Sequence, residues 1–79
     1  AIQLNIQAFD IASVVESSTW HFSPQADTKN ITLHCINEAE HSIAYADEQA
    51  LAQVVDNLVS NAVKYSPWGK NIVVRIKQH

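Results

Sequence analysis

The chain has 79 residues, 47% of them apolar, and a formal net charge of −3 from five basic and eight acidic side chains. That composition is globular rather than disordered, and its length allows one domain or a piece of one. The single cysteine, Cys35, excludes an internal disulfide framework and fits a reducing cytosol; no basic run points to nucleic acid, and no apolar stretch approaches the ~20 residues that span a bilayer.

No signal peptide is recognisable, which leaves open a membrane anchor elsewhere in a longer parent. The opening, Ile2 to Ile6, alternates apolar and polar residues and reads as a short strand. Phe9-Asp10 reads as the start of a helix, with Asp10 as N-cap and Ile11, Val14, Val15 and Ser18 on one face. Pro24 should kink or interrupt that helix, because it removes a backbone donor and crowds the preceding turn. Lys29-Asn30 ends it. Ile31 to Ile36 alternates again, with Ile31, Leu33 and Cys35 on one side, and Ser42 to Ala46 is a second short strand that would complete a hairpin. Asp47 caps a second helix running to about Ser66, Pro67-Trp68-Gly69-Lys70 is a turn, and Asn71 to Ile76 is a strand rich in β-branched residues. The order strand, helix, strand, strand, helix, strand predicts a mixed α/β two-layer sandwich, with both helices on one face of a sheet.

The second helix carries the chemistry. At ~100° per residue, Leu51, Val55, Leu58 and Ala62 make an apolar stripe that should face the sheet, while Asn57, Asn61 and Lys64 share an arc of roughly 60°. Tyr65 lies between the two. Asparagine is a poor helix former, because its amide competes for backbone hydrogen bonds, so two of them in one row point to a use. An amide oxygen suits a hard cation such as Mg²⁺, an ammonium suits phosphate oxygens, and a tyrosine offers a flat face with a hydroxyl. The bland alternative is a solvated polar flank, and Asn-x-x-x-Asn is a short pattern.

The run Leu51-Ala-Gln-Val-Val-Asp-Asn57-Leu-Val-Ser-Asn61-Ala-Val-Lys64-Tyr65-Ser-Pro67 resembles the N-box of sensor histidine kinase catalytic domains. These belong to a group of ATPases shared with gyrase B, Hsp90 and MutL. Weaker likenesses upstream, at Phe9-Asp10-Ile11, Phe22 to Ala26, Lys29 to Ile31 and Leu33, extend the resemblance over nearly the whole chain. The resemblance implies an incomplete Bergerat-type ATP-binding fold over residues 1–79, with ATP and Mg²⁺ as cofactors. It implies Asn61 as the Mg²⁺ ligand, Asn57 at the phosphates or the metal's surroundings, Lys64 on the phosphates, and Tyr65 near adenine and ribose. The implied parent is a cytoplasmic or membrane-anchored two-component kinase. It would pass the γ-phosphoryl group to a histidine on a separate dimerisation domain and then serve a response regulator.

ATP-hydrolysing members of that group place a glutamate base where Asn57 stands; asparagine cannot accept a proton, and Asp56 projects ~100° away. That difference favours transfer over hydrolysis and counts against an anti-sigma or metabolic-enzyme kinase relative. The family's Asp-x-Gly-x-Gly and later glycine-rich motifs cannot occur in a chain whose only glycine is Gly69. The 79 residues alone are therefore expected to bind ATP weakly or not at all, and to self-associate through an unpaired 72–76 strand. The competing reading is a degenerate interaction module of the same fold that has lost ATP binding. None of His21, His34, His41 and His79 stands in a phosphoacceptor context. Trp20 and Phe22 read as core, Trp68 as exposed, Cys35 as a small core residue, and Glu38, Glu40 and His41 as a solvated turn.

Overall fold

The computed structural model describes residues 4–77. Its elements are β1 (Ile6–Asp10), α1 (Ile11–Thr28), β2 (Thr32–Asn37), β3 (Ile43–Asp47), α2 (Glu48–Tyr65) and β4 (Asn71–Ile76). The first strand therefore lies later than the alternation at the chain's start implied; Ile2 falls outside the described residues, and Leu4 and Ile6 are exposed.

Both helices start at aspartates that end a strand. Asp10 Oδ1 accepts from the Ala12 N–H at 3.0 Å and from the Ser42 hydroxyl, while the Ile11 N–H donates to the Ser42 carbonyl at 2.8 Å. Asp47 Oδ1 accepts from the Ala50 N–H and Oδ2 from the Asn5 N–H, each at 3.1 Å. The bonds from Ile11, Ala12 and Ala50 satisfy donors that the first helical turn leaves unpaired. Because β1 and β3 pair antiparallel, Ile6 opposite Asp47 and Asp10 opposite Ile43, the two helices leave from opposite ends of this ladder.

Helix α1 runs unbroken through Pro24, so of the kink or interruption expected at that residue the interruption does not occur. The donor that proline lacks would have served the carbonyl of Trp20, a residue 81% exposed, where water can replace it. The helix ends in a Schellman arrangement: the Ile31 N–H reaches the Ala26 carbonyl and the Asn30 N–H the Asp27 carbonyl, with Asn30 at φ 53°. Ala26 and Ile31, buried together with Val63, provide the apolar contact that accompanies this motif.

The expected hairpin of the second and third strands does not form. β2 pairs in parallel with β4, Leu33 beside Ile72 and Cys35 beside Val74, while β3 pairs with β1. The parallel register lines up the apolar side chains of both strands beneath the helices. The connection after β2 extends this ladder instead of turning back: the Glu38 N–H donates to the Ile76 carbonyl at 2.9 Å, and Glu38 meets Arg75 at 3.4 Å. β4 thus has β2 on one side, correcting the expectation of a strand with no neighbour. The strands form two two-stranded ladders, and the mixed α/β architecture is as expected.

The core is two small clusters. Ala12, Val15 and Ile76 pack with Ile11, Cys35, Val55 and Val74; Ala26, Ile31 and Val63 pack with Leu33 and Ile72. Cys35 is half-buried there, and desolvation pushes its thiol pKa above the ordinary value, outweighing a hydrogen bond with Thr19 that lowers it. Trp20, expected in the core, lies ~100° around α1 from the buried Thr19 and points outward; Phe22 is half-buried with its ring edge-on to His21. Trp68 is exposed, as expected. No described helix is long and apolar enough to cross a membrane.

Candidate functional site on helix α2

The orientation of α2 is set at both ends. Asp47 fixes its start, and the Asp47 carboxyl pKa is lowered by the N–H donors of Ala50 and Asn5. Its last carbonyls are held by a residue far away in sequence: Lys29 Nζ donates to the carbonyls of Val63 at 2.9 Å, Lys64 at 3.0 Å and Ser66 at 2.7 Å. A cation there also complements the negative end of the helix dipole. The Gly69 N–H donates to the Lys29 carbonyl and the Thr32 N–H to the Lys70 carbonyl, so the turn after α2 is bonded onto the end of α1. Gly69, at φ 77°, supplies the left-handed conformation this turn needs. From its place in the sequence Lys29 marks only the end of α1. No local pattern announces a bond to residues 34 to 37 positions on.

Between these anchors, the buried line of α2 is Val59 and Val63, with Val55 and Leu51 half-buried. The stripe is thus turned from the one expected to face the sheet: Leu58 is 65% exposed and Ala62 is exposed. α2 packs on α1 as well as on the strands, and that second contact draws the buried line toward Val59 and Val63. Leu58 and Ala62 instead edge an apolar groove of 300 Å³, completed by Val55 and Val59 beside them and by Ile72 and Val74 of β4.

Asn57, Asn61 and Lys64 are all exposed. On the helix they occupy one arc of roughly 60°, bordering the edge where Leu58 and Ala62 stand. Tyr65, 73% exposed, sits between arc and groove edge, and Lys64 Nζ lies 5.3 Å from its ring centroid. That is within reach of a cation–π contact. The arrangement is an amide-and-ammonium strip alongside an apolar trough. Asp56 lines a different groove, between α1 and α2, so no carboxylate of this helix takes the place of a base beside Asn57.

The histidines do not converge. His21 lines the α1–α2 groove, His34 is exposed on β2, His41 is exposed in the connection, and His79 lies outside the described residues. Among the described residues, no group of three or more His, Cys, Asp or Glu side chains is placed to hold a metal ion.

No family model matches the chain. The sensor protein EvgS of Escherichia coli (strain K12) is 38% identical over 68 residues, covering 85% of this chain and 6% of EvgS. Histidine kinase P4 of Formosa agariphila is 34% identical over 76 residues, covering 94% of this chain and 6% of that protein. The chain therefore spans a small part of the curated relatives it matches. In three dimensions it superposes on the cytoplasmic segment of histidine kinase QseC with a TM-score of 0.84 and 26% identity, over 92% of this chain and 48% of that one. It also matches histidine kinase ThkA in its complex with the response regulator TrrA, with a TM-score of 0.75 and 22% identity, over 91% of this chain and 22% of that one. The chain's homologues are sensor histidine kinases, and its fold is that of part of a histidine kinase catalytic domain.

Proposed function

We propose that the chain supplies one wall of the Mg-ATP site of a two-component sensor histidine kinase. In this reading the parent transfers the γ-phosphoryl group to a histidine on a dimerisation domain, works in the cytoplasm, and passes the phosphoryl on to a response regulator. The observation that carries the reading is the face of α2: Asn57, Asn61 and Lys64 open to solvent on one arc, beside an apolar groove. Such a pairing offers a base or sugar an apolar bed and its phosphates a polar rail.

The donor set fits a nucleotide-borne ion rather than a protein-caged one. Asn61 contributes a neutral oxygen, and Mg²⁺ keeps waters and phosphate oxygens for most of its shell. Asn61 would hold the ion, which when bound neutralises phosphate charge. Asn57 donates its amide N–H groups to phosphate oxygens or supports the metal's surroundings and takes no proton, Lys64 adds a point charge, and Tyr65 packs against the base or ribose. With Asp56 turned into another groove, this wall of the site offers no carboxylate base beside Asn57 to activate water. What these side chains do is position and stabilise charge, which suits transfer to a delivered acceptor over hydrolysis. Similarity to EvgS, QseC and the ThkA–TrrA complex supports kinase and response-regulator roles for the parent.

The test is a nuclear magnetic resonance titration of the isotopically labelled chain with ATP, with and without MgCl₂. The side-chain amides of Asn57 and Asn61 and the backbone of Lys64 and Tyr65 should shift, even at millimolar affinity. Asn61→Ala should remove the magnesium-dependent component and leave the rest. Shifts elsewhere on the surface, or a magnesium response indifferent to Asn61→Ala, would overturn the assignment.

A further inference from the structure

A second groove runs between α1 and α2, away from the Asn57–Lys64 arc. It encloses 470 Å³, within the ~300–1,000 Å³ typical of ligand sites. Asp10, Ser17, Ser18 and His21 line one side, and Glu48 and Asp56 the other. Three carboxylates and no lysine or arginine face it. The chain's five basic residues, Lys29, Lys64, Lys70, Arg75 and Lys77, all lie elsewhere: none occurs in residues 1–28 or 30–63. A cleft walled by one sign of charge focuses its field and draws in the opposite sign.

A second observation concerns the groove's floor. Ser18 is 3% exposed, and its hydroxyl finds no hydrogen-bond partner among the described residues. Its neighbours on α1 behave otherwise: the Thr19 hydroxyl donates to the Val15 carbonyl at 2.8 Å, and the Ser23 hydroxyl to the Thr19 carbonyl at 2.9 Å. A buried hydroxyl is normally paired, and this one borders the acidic groove.

We infer that the α1–α2 groove is a docking site for a basic helix of a partner protein, whose lysine or arginine side chains meet Glu48 and Asp56. The walls are two helices, so a third helix can lie along the trough between them. Glu48 and Asp56 are two turns apart, about 12 Å along α2, a spacing that basic residues seven or eight positions apart on the incoming helix match. Ser18 accepts a hydrogen bond from an ammonium or guanidinium group that reaches the floor. The inference is independent of the nucleotide reading, since the two sites use different faces of α2.

The probe is a synthetic amphipathic helix of about 15 residues, the length at which an isolated helix becomes tenable. It carries two pairs of Lys/Arg eight positions apart, and its twin carries glutamine in their place. Titrated into the labelled chain, the basic peptide should shift the amides of Ser17, Ser18, His21 and Asp56, more strongly at low salt; the glutamine twin should not. The double variant Glu48→Gln, Asp56→Asn should weaken binding by about tenfold, the sum expected of two partly exposed charge pairs. Glu38→Gln, which touches the remote pair with Arg75, should leave it unchanged. If the double variant loses its fold by circular dichroism, exposed Glu48→Gln alone gives the readout. Absence of binding, shifts spread evenly over Asp27 and Glu38, or an equal loss in Glu38→Gln would overturn the inference in favour of unspecific charge attraction.

Discussion

Replacing Lys29 by methionine keeps the aliphatic stem and removes only the ammonium that binds three carbonyls at the end of α2. A hydrogen bond to a charged group is worth roughly 1.5–3 kcal/mol net, and a cation at a helix C-terminus about 0.3–1 kcal/mol. The three bonds share one donor, and the Lys64 carbonyl stays open to water, so they do not add. The expected loss is about 2 kcal/mol. For a domain of this size it would lower the melting temperature by roughly 8–16 °C. Urea unfolding followed by circular dichroism measures it, with the slope of the transition unchanged. Lys29→Arg should recover part of the loss. A Lys29→Met loss below about 0.5 kcal/mol would refute the view that this lysine anchors the end of the helix.

The Asp47 carboxyl has a pKa lower in the folded state than in the unfolded chain, because backbone N–H groups bond its charged form. Its contribution is therefore present above about pH 4 and lost as pH falls further; acid titration of unfolding should show a steeper loss for the parent chain than for Asp47→Asn. Val63→Ala removes two methyl groups at a site 2% exposed and should cost about 1.5–2.5 kcal/mol, whereas Leu58→Ala, 65% exposed, should cost under about 0.5 kcal/mol in the same urea assay. Among the described residues, β4 pairs only with β2. The chain should therefore self-associate at high concentration by light scattering, and Val73→Lys should reduce this; a monomer at every concentration would contradict it.

What could be read from the sequence was what depends on near neighbours. Asp47, Pro67 and the 3.6-residue spacing between them delimit α2 to within a residue or two of its observed ends. Alternation separates the inward Leu33 and Cys35 from the exposed Thr32, His34 and Ile36. What could not be read depends on distant partners. Strand pairing is one such case: the segment 37–42 is compatible with a hairpin, and only the fit of Leu33 and Cys35 beside Ile72 and Val74 decides for the parallel ladder. The rotation of α2 is another. Leu51, Val55, Leu58 and Ala62 form a credible stripe, yet the contact with α1 buries Val59 and Val63. Trp20 was misplaced for a similar reason, since apolar size does not say which way a helix turns. The groove between α1 and α2 depends on how the two helices meet, which no spacing along either one encodes.

The same division explains how a helix can carry two asparagines at little cost to its own order. Asp47, tied to the chain before β1, and Lys29, at the end of α1, hold α2 at both ends, while Val59 and Val63 hold its inner line. Asn57 and Asn61 take no part in any of these contacts, so the fold does not need them. On intrinsic propensity, asparagine is about 0.6 kcal/mol worse than alanine inside a helix. Asn57→Ala and Asn61→Ala should therefore leave the chain as stable as before or slightly more so, even as Asn61→Ala removes the magnesium response. Residues that lower the stability of their own helix and stand together on an open face have the character of a binding site rather than a scaffold. A loss of more than about 1 kcal/mol in either variant would show that these amides belong to the packing, and the strongest physical reason for placing a nucleotide there would fall with it.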